Sequence, residues 1–198
     1  MKVLFGIVTL ILLGSCQHKW VAIPSAHNSF ERCSDHSEFP QMIKIPELKL
    51  SYLIVDSCRT IDRYRISIAI ETFINSWKDR FGSNTYATKV VIDNLNNLVI
   101  TANNEAKIVK AYTSDGTLGD SLSVSGLALT KGFIWIKVFP GQRVCDTSLV
   151  HELVHVSIWS VKSTDGDPDH LGKRYYGWTT EHELLIQEVN NSLCVWGI

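Results

Sequence analysis

The sequence predicts an α+β fold, and three observations carry that prediction. Residues 61–80 repeat apolar side chains at helical spacing, short β-like runs fill 89–139, and two further helical patterns close the chain. The chain has 198 residues, 45% apolar and 20% charged, enough for one domain with a real core and short for two. A formal net charge of −1, with no repeat and no low-complexity block, gives no footing for nucleic acid as a partner.

Lys2 precedes the apolar run V-L-F-G-I-V-T-L-I-L-L, which is too short to span a bilayer but has the charged start and apolar centre of a secretory signal. It ends in Leu13-Gly14-Ser15-Cys16, which resembles a bacterial lipobox, where small residues precede the cysteine that becomes the lipidated N-terminus. The resemblance implies a lipoprotein signal peptide over 1–15, a membrane anchor on Cys16 and a place in the bacterial cell envelope. Gln17 after the cysteine, rather than Asp, implies sorting to the outer membrane. An ordinary signal cleaved near Ser15 is the alternative. Cys33, Cys58, Cys145 and Cys194 remain, an even number that fits two disulfides in an oxidising compartment, with three pairings open. No two of them are close enough in sequence for a CxxC zinc knuckle.

Residues 16–48 are polar and irregular, with Pro24, Pro40 and Pro46, and read as a tether and wrapping segment ahead of a domain over 49–198. Lys49 to Val55 reads as a strand. In 61–80, Ile66, Ile70, Phe73 and Trp77 fall at i, i+4, i+7 and i+11, and Gly82 stops the helix. Lys89 to Asp93, Leu98 to Ala102, Ala106 to Thr113 and Ser121 to Leu129 read as strands between Asn, Asp and Gly turn signals. Gly132 to Phe139 alternates most cleanly, with Phe133, Trp135 and Lys137 on one face and Ile134, Ile136 and Val138 on the other. Asp146 or Thr147 can cap a helix from Ser148 to about Ser160. Thr180 and Glu183 stand at capping-box spacing at the start of the last helix.

The helix that follows Asp146 and Thr147 contains His151-Glu152-Leu153-Val154-His155. Imidazoles four residues apart project from one helical face and can bite a single ion. Glu152 lies on the adjacent face, where a carboxylate can take a proton from a zinc-activated water without ligating the metal. Leu153, Val154, Ile158 and Val161 give the helix an apolar seat. The alternative is a core helix that carries two histidines.

The segment resembles the active-site helix of zincin metallopeptidases, which share the pattern H-E-x-x-H. The resemblance implies a small twisted, mostly antiparallel sheet packed on an N-terminal helix and the active-site helix, plus a C-terminal helix. It also implies zinc as cofactor, a peptide or protein substrate, and Gly132 to Phe139 as the edge strand that pairs with extended substrate. Ile158 and Val161 stand where the metzincin extension needs Gly and His, so that subgroup is excluded.

The third zinc ligand is expected to be His170, fourteen residues past His155 and part of a D-x-x-H with Asp167. Glu181 on the last helix is the rival, as in gluzincins, and His182, Asp167 and Asp169 are further options. Asp167 or Asp169 could instead hold a ligating histidine from behind. The aspartates at 165, 167 and 169 do not make a calcium loop, because His170 and Tyr176 occupy its glycine and glutamate positions. Tyr176 is a candidate donor to a developing oxyanion, and aromatic packing of Tyr175, Tyr176 and Trp178 is its alternative. The function expected is a zinc metallopeptidase of the envelope with His151, His155 and His170 as ligands and Glu152 as general base. A non-enzymatic lipoprotein with a structural metal, binding a partner through its surface, is the second reading.

Overall fold

The computed structural model describes residues 41–45, 50–56, 62–104, 107–112, 118–163 and 177–198. Cys16, Cys33, Cys58, Asp167, Asp169, His170, Tyr175 and Tyr176 lie outside them. The elements are β1 (Gln41–Ile45), β2 (Leu50–Asp56), α1 (Arg63–Phe81), α2 (Tyr86–Leu95), β3 (Val99–Asn103), β4 (Lys107–Tyr112), β5 (Leu118–Val124), β6 (Gly126–Thr130), β7 (Phe133–Lys137), α3 (Leu149–Lys162) and α4 (Thr180–Val195). A short 3-10 turn, Val144–Asp146, precedes α3. The α+β class stands. β1 comes from the stretch read as tether and wrapping, and it pairs with β2.

One sheet has the order β1-β2-β3-β7-β6, and β4 and β5 form a separate two-stranded ribbon. The outer pairings, β1 with β2 and β6 with β7, are antiparallel, and the two inner ones are parallel. The main sheet is therefore mixed rather than mostly antiparallel. The parallel pairings follow from connectivity: α1 and α2 carry the chain from β2 back to the start of β3, and the ribbon and β6 carry it on to β7.

α1 forms as its spacing predicts. Asp62 accepts the N–H groups of Tyr64 and Arg65 at 3.0 and 3.3 Å, a cap that satisfies orphan donors of the first turn. Gly82 ends it at φ 88° and returns its N–H to the Lys78 carbonyl at 2.9 Å. Ile66, Ile70, Phe73 and Trp77 are all buried.

The Lys89 to Asp93 run is helical instead of extended. The Thr85 hydroxyl accepts the Thr88 N–H at 3.2 Å, and Thr88, Val91 and Leu95 are the residues buried. That spacing is helical, and it outweighs the β preference of the Val90-Val91-Ile92 run. The Ser121 to Leu129 run splits at Ser125 into β5 and β6. Because β6 turns back onto β7, β7 lies inside the sheet and β6 is the outer strand.

Ile100, Ala102, Ile134, Ile136 and Val138 join the helices in one core cluster. Trp135, fully buried on the opposite face, packs with Val124, Leu127 and Leu129. α3 is buried along Leu149, Val150 and every residue from Glu152 to Ser160. A disulfide joins Cys145, just ahead of α3, to Cys194 at the end of α4.

That bridge closes a loop of sequence separation 49, for which chain-entropy reasoning gives about 4 kcal/mol. The double variant Cys145→Ala/Cys194→Ala should lose about 2–4 kcal/mol in denaturant unfolding. A loss of unfolding free energy below that range would show that the bridge adds little to stability.

Candidate metal centre on α3

The site starts at the N-terminus of α3. Ser148 is the N-cap residue, and its Oγ donates to the Ser125 carbonyl at 2.8 Å, tying the helix to the start of β6. The Thr147 hydroxyl accepts the Leu149 N–H at 3.2 Å. The Ser148 side chain therefore caps no amide of α3, and the expected Thr147 takes the first one.

His151 and His155 face each other on one stripe, with Nε2 atoms 3.1 Å apart. Without an ion, that distance lets one ring share a proton with the other. It also fits a single metal: with Zn–N of about 2.0–2.1 Å, nitrogens so spaced subtend roughly 95–100° at the ion, close to tetrahedral. Trp178 lies against both rings, at centroid distances of 5.1 Å from His151 and 4.9 Å from His155. Ile158 and Lys162 continue the stripe and line an apolar cavity with Trp77, Phe81, Gly177 and His182.

Glu152 points to the sheet. It is buried, and burial pushes its carboxyl up to about 8, opposed by a hydrogen bond from the Ala128 backbone N–H on β6. The predicted base thus sits beside the outer strand of the sheet.

Glu181 stands elsewhere. It pairs with Arg80 on α1 at 2.6 Å, and Arg80 also holds Glu188 at 2.7 Å. Among the described residues, no third His, Cys, Asp or Glu donor gathers with the histidine pair within 4.8 Å. The donors that do gather are Cys145, Asp146 and Cys194, but both sulfurs are bound in the disulfide, which leaves no thiolate for a metal.

The capping box falls one residue before the expected one. His182, not Glu183, is its partner: the Thr179 N–H donates to His182 Nδ1 at 3.0 Å. Glu183 instead accepts the Trp178 indole N–H. His182 stacks on Phe81 at 4.9 Å and lies 6.2 Å from Trp178. Sequence reasoning gave Trp178 a packing role between the loop and the last helix. Its place against the two histidines carries no sequence signal beyond aromatic character.

Comparison with protein-family models, with curated proteins and with solved structures returns no match to this chain. The histidine pair, the buried carboxylate and the outer strand are therefore weighed on their own geometry.

Burial holds His182 down at about 4, with the Glu181 carboxylate pulling the other way. Between about pH 6.5 and 4 the unfolded chain binds a proton that the folded one refuses, so this contribution is full above pH 6.5 and is lost as pH falls. The loss should reach up to about 3 kcal/mol at pH 4. His182→Gln, which keeps an acceptor for the Thr179 N–H, should flatten that part of the profile in urea titrations. An unchanged slope would place the acid sensitivity elsewhere.

Proposed function

We propose that this chain is a zinc-dependent metallopeptidase of the bacterial cell envelope, anchored by a lipid on Cys16. The observation that carries the reading is the pair of Nε2 atoms 3.1 Å apart on a helix whose next residue after His151 is a buried carboxylate. Bound zinc would supply a Lewis acid for a peptide carbonyl and a water acidic enough to lose its proton near neutral pH.

His151 and His155 would hold the metal, with His170 as third ligand and Glu181 as the alternative. Glu152 would accept the proton and hand it to the leaving amine. Its apolar burial makes it a strong acceptor once ionised, and a neighbouring divalent cation favours the ionised form. β6 is the outer strand of the sheet. Its outward main-chain groups other than the Ala128 N–H, which Glu152 takes, would pair with an extended peptide, which supports a peptide or protein as substrate. Tyr176 is proposed as the oxyanion donor. No described helix is long and apolar enough to cross a membrane, and the anchor rests on the lipobox-like run alone.

The mature protein should contain one zinc per chain. His151→Ala, His155→Ala and His170→Ala should abolish that content, and Glu181→Ala should keep it. Loss with Glu181→Ala and retention with His170→Ala would transfer the third ligand to α4. Glu152→Gln should keep zinc and lower turnover of labelled casein by about 10²–10⁴-fold. Zinc without turnover, unaffected by Glu152→Gln, would favour a structural metal. In fractionated cells, Cys16→Ser should move the protein from the membrane to the soluble fraction, and an unchanged distribution would sink the anchor.

A further inference from the structure

We propose that Gly126 is a positioning residue for Glu152: the bare backbone of β6 at Gly126, with the Ala128 N–H and Ser148 around it, forms the seat that fixes the carboxylate. The catalytic consequence rests on the reading of Glu152 as proton acceptor, whereas the seat itself is a matter of packing.

Gly126 lies in a strand and is not among the residues with positive φ. Its backbone conformation is therefore open to any amino acid, and the demand for glycine is spatial. A β-carbon there would run into Ser148 Oγ and come within 2.6 Å of Glu152 Oε1 and 2.8 Å of Ser148 Cβ. Relaxed contacts need about 3.5 Å. The crowding comes from two residues on one turn of α3, at i and i+4.

The strand register explains why this turn meets β6. Lys137 N–H donates to the Ser125 carbonyl at 2.8 Å, and the register sets Gly126 opposite Ile136 and Leu127 opposite Trp135. Alternation in an antiparallel pair then turns the peptide groups of Gly126 and Ala128 away from β7, onto the outer edge. Glu152 takes the Ala128 N–H there. Ser148 takes the Ser125 carbonyl two residues before Gly126's far neighbour Leu127. α3 thus grips β6 on both sides of Gly126, and the missing side chain lets the carboxylate close on the strand. A methyl at Gly126 must move Glu152 or the strand by roughly 1 Å, a displacement that can cost about 10²-fold in rate.

The test uses the mature protein, with amide exchange of Ala128 followed by NMR. In the wild type Glu152 holds that N–H, so it should exchange slowly for an outer strand. Gly126→Ala should speed its exchange at least about 10-fold, as Glu152→Ala should, with smaller changes at Leu127 and Trp135, whose amides face the β6–β7 ladder. Zinc content should stay at one per chain, while kcat on labelled casein falls about 10–100-fold and KM changes by less than about 2-fold. Gly126→Ala/Ser148→Gly separates the two contacts, because it relieves the collision with Ser148 and leaves the one with Glu152. It should regain stability without regaining kcat or Ala128 protection. Recovery of all three would overturn the proposal and make Gly126 a packing residue beside Ser148. Unchanged exchange in Gly126→Ala would overturn it as well. A wild type that shows the exchange pattern but hydrolyses no casein would defeat the peptidase reading and leave the seat standing.

Discussion

The rest of the site depends on the burial of α3. From Glu152 to Ser160 every residue of that helix is buried, so the polar groups it carries cannot rely on water. A buried carboxyl without a partner costs several kcal/mol or changes its protonation. Glu152 meets this constraint through the Ala128 N–H and a raised affinity for its proton. His155 shares its Nε2 with that of His151 and rests its ring against Trp178. The helix is therefore held from the sheet side at β6 and from the α4 side by the aromatic contact. Its orientation follows from where those partners lie.

The same constraint explains why β6 matters more than its five residues suggest. An outer strand usually leaves alternate peptide groups to solvent. Here one of them is bound by Glu152, and Ser148 binds the carbonyl that precedes the strand. Sheet edge and helix start become one unit. The Arg80 ion pairs with Glu181 and Glu188 play a parallel part between α1 and α4, although such exposed pairs add only modest stability.

What was legible in the sequence follows from how each signal arises. The stripe Ile66, Ile70, Phe73 and Trp77 and the spacing of His151 and His155 are periodic, and periodicity survives folding because it is set by the helix itself. The Val90-Val91-Ile92 run misled because a short apolar run is compatible with strand or helix until the partners of Thr88, Val91 and Leu95 are known. The edge position passed from β7 to β6 because strand order is decided by long-range pairing, to which the alternation in Phe133–Lys137 is blind. Thr179 and His182 formed the capping box because a histidine ring nitrogen accepts an N–H as a Glu oxygen does. Gly126 gave no sign at all, since its reason is a neighbour 26 positions later in the chain, Glu152.

The Cys145–Cys194 bridge has one more consequence. His151, Glu152, His155, Trp178 and His182 all lie within the covalent ring it closes, as does the whole connection from Ser163 to Gly177. A single backbone nick in that connection would leave α3 and α4 as parts of one molecule. Re-docking of the two helices would then be unimolecular, at an effective concentration on the order of millimolar, rather than an encounter between separate fragments. Damage that would dismantle an unbridged domain would leave this one able to reassemble.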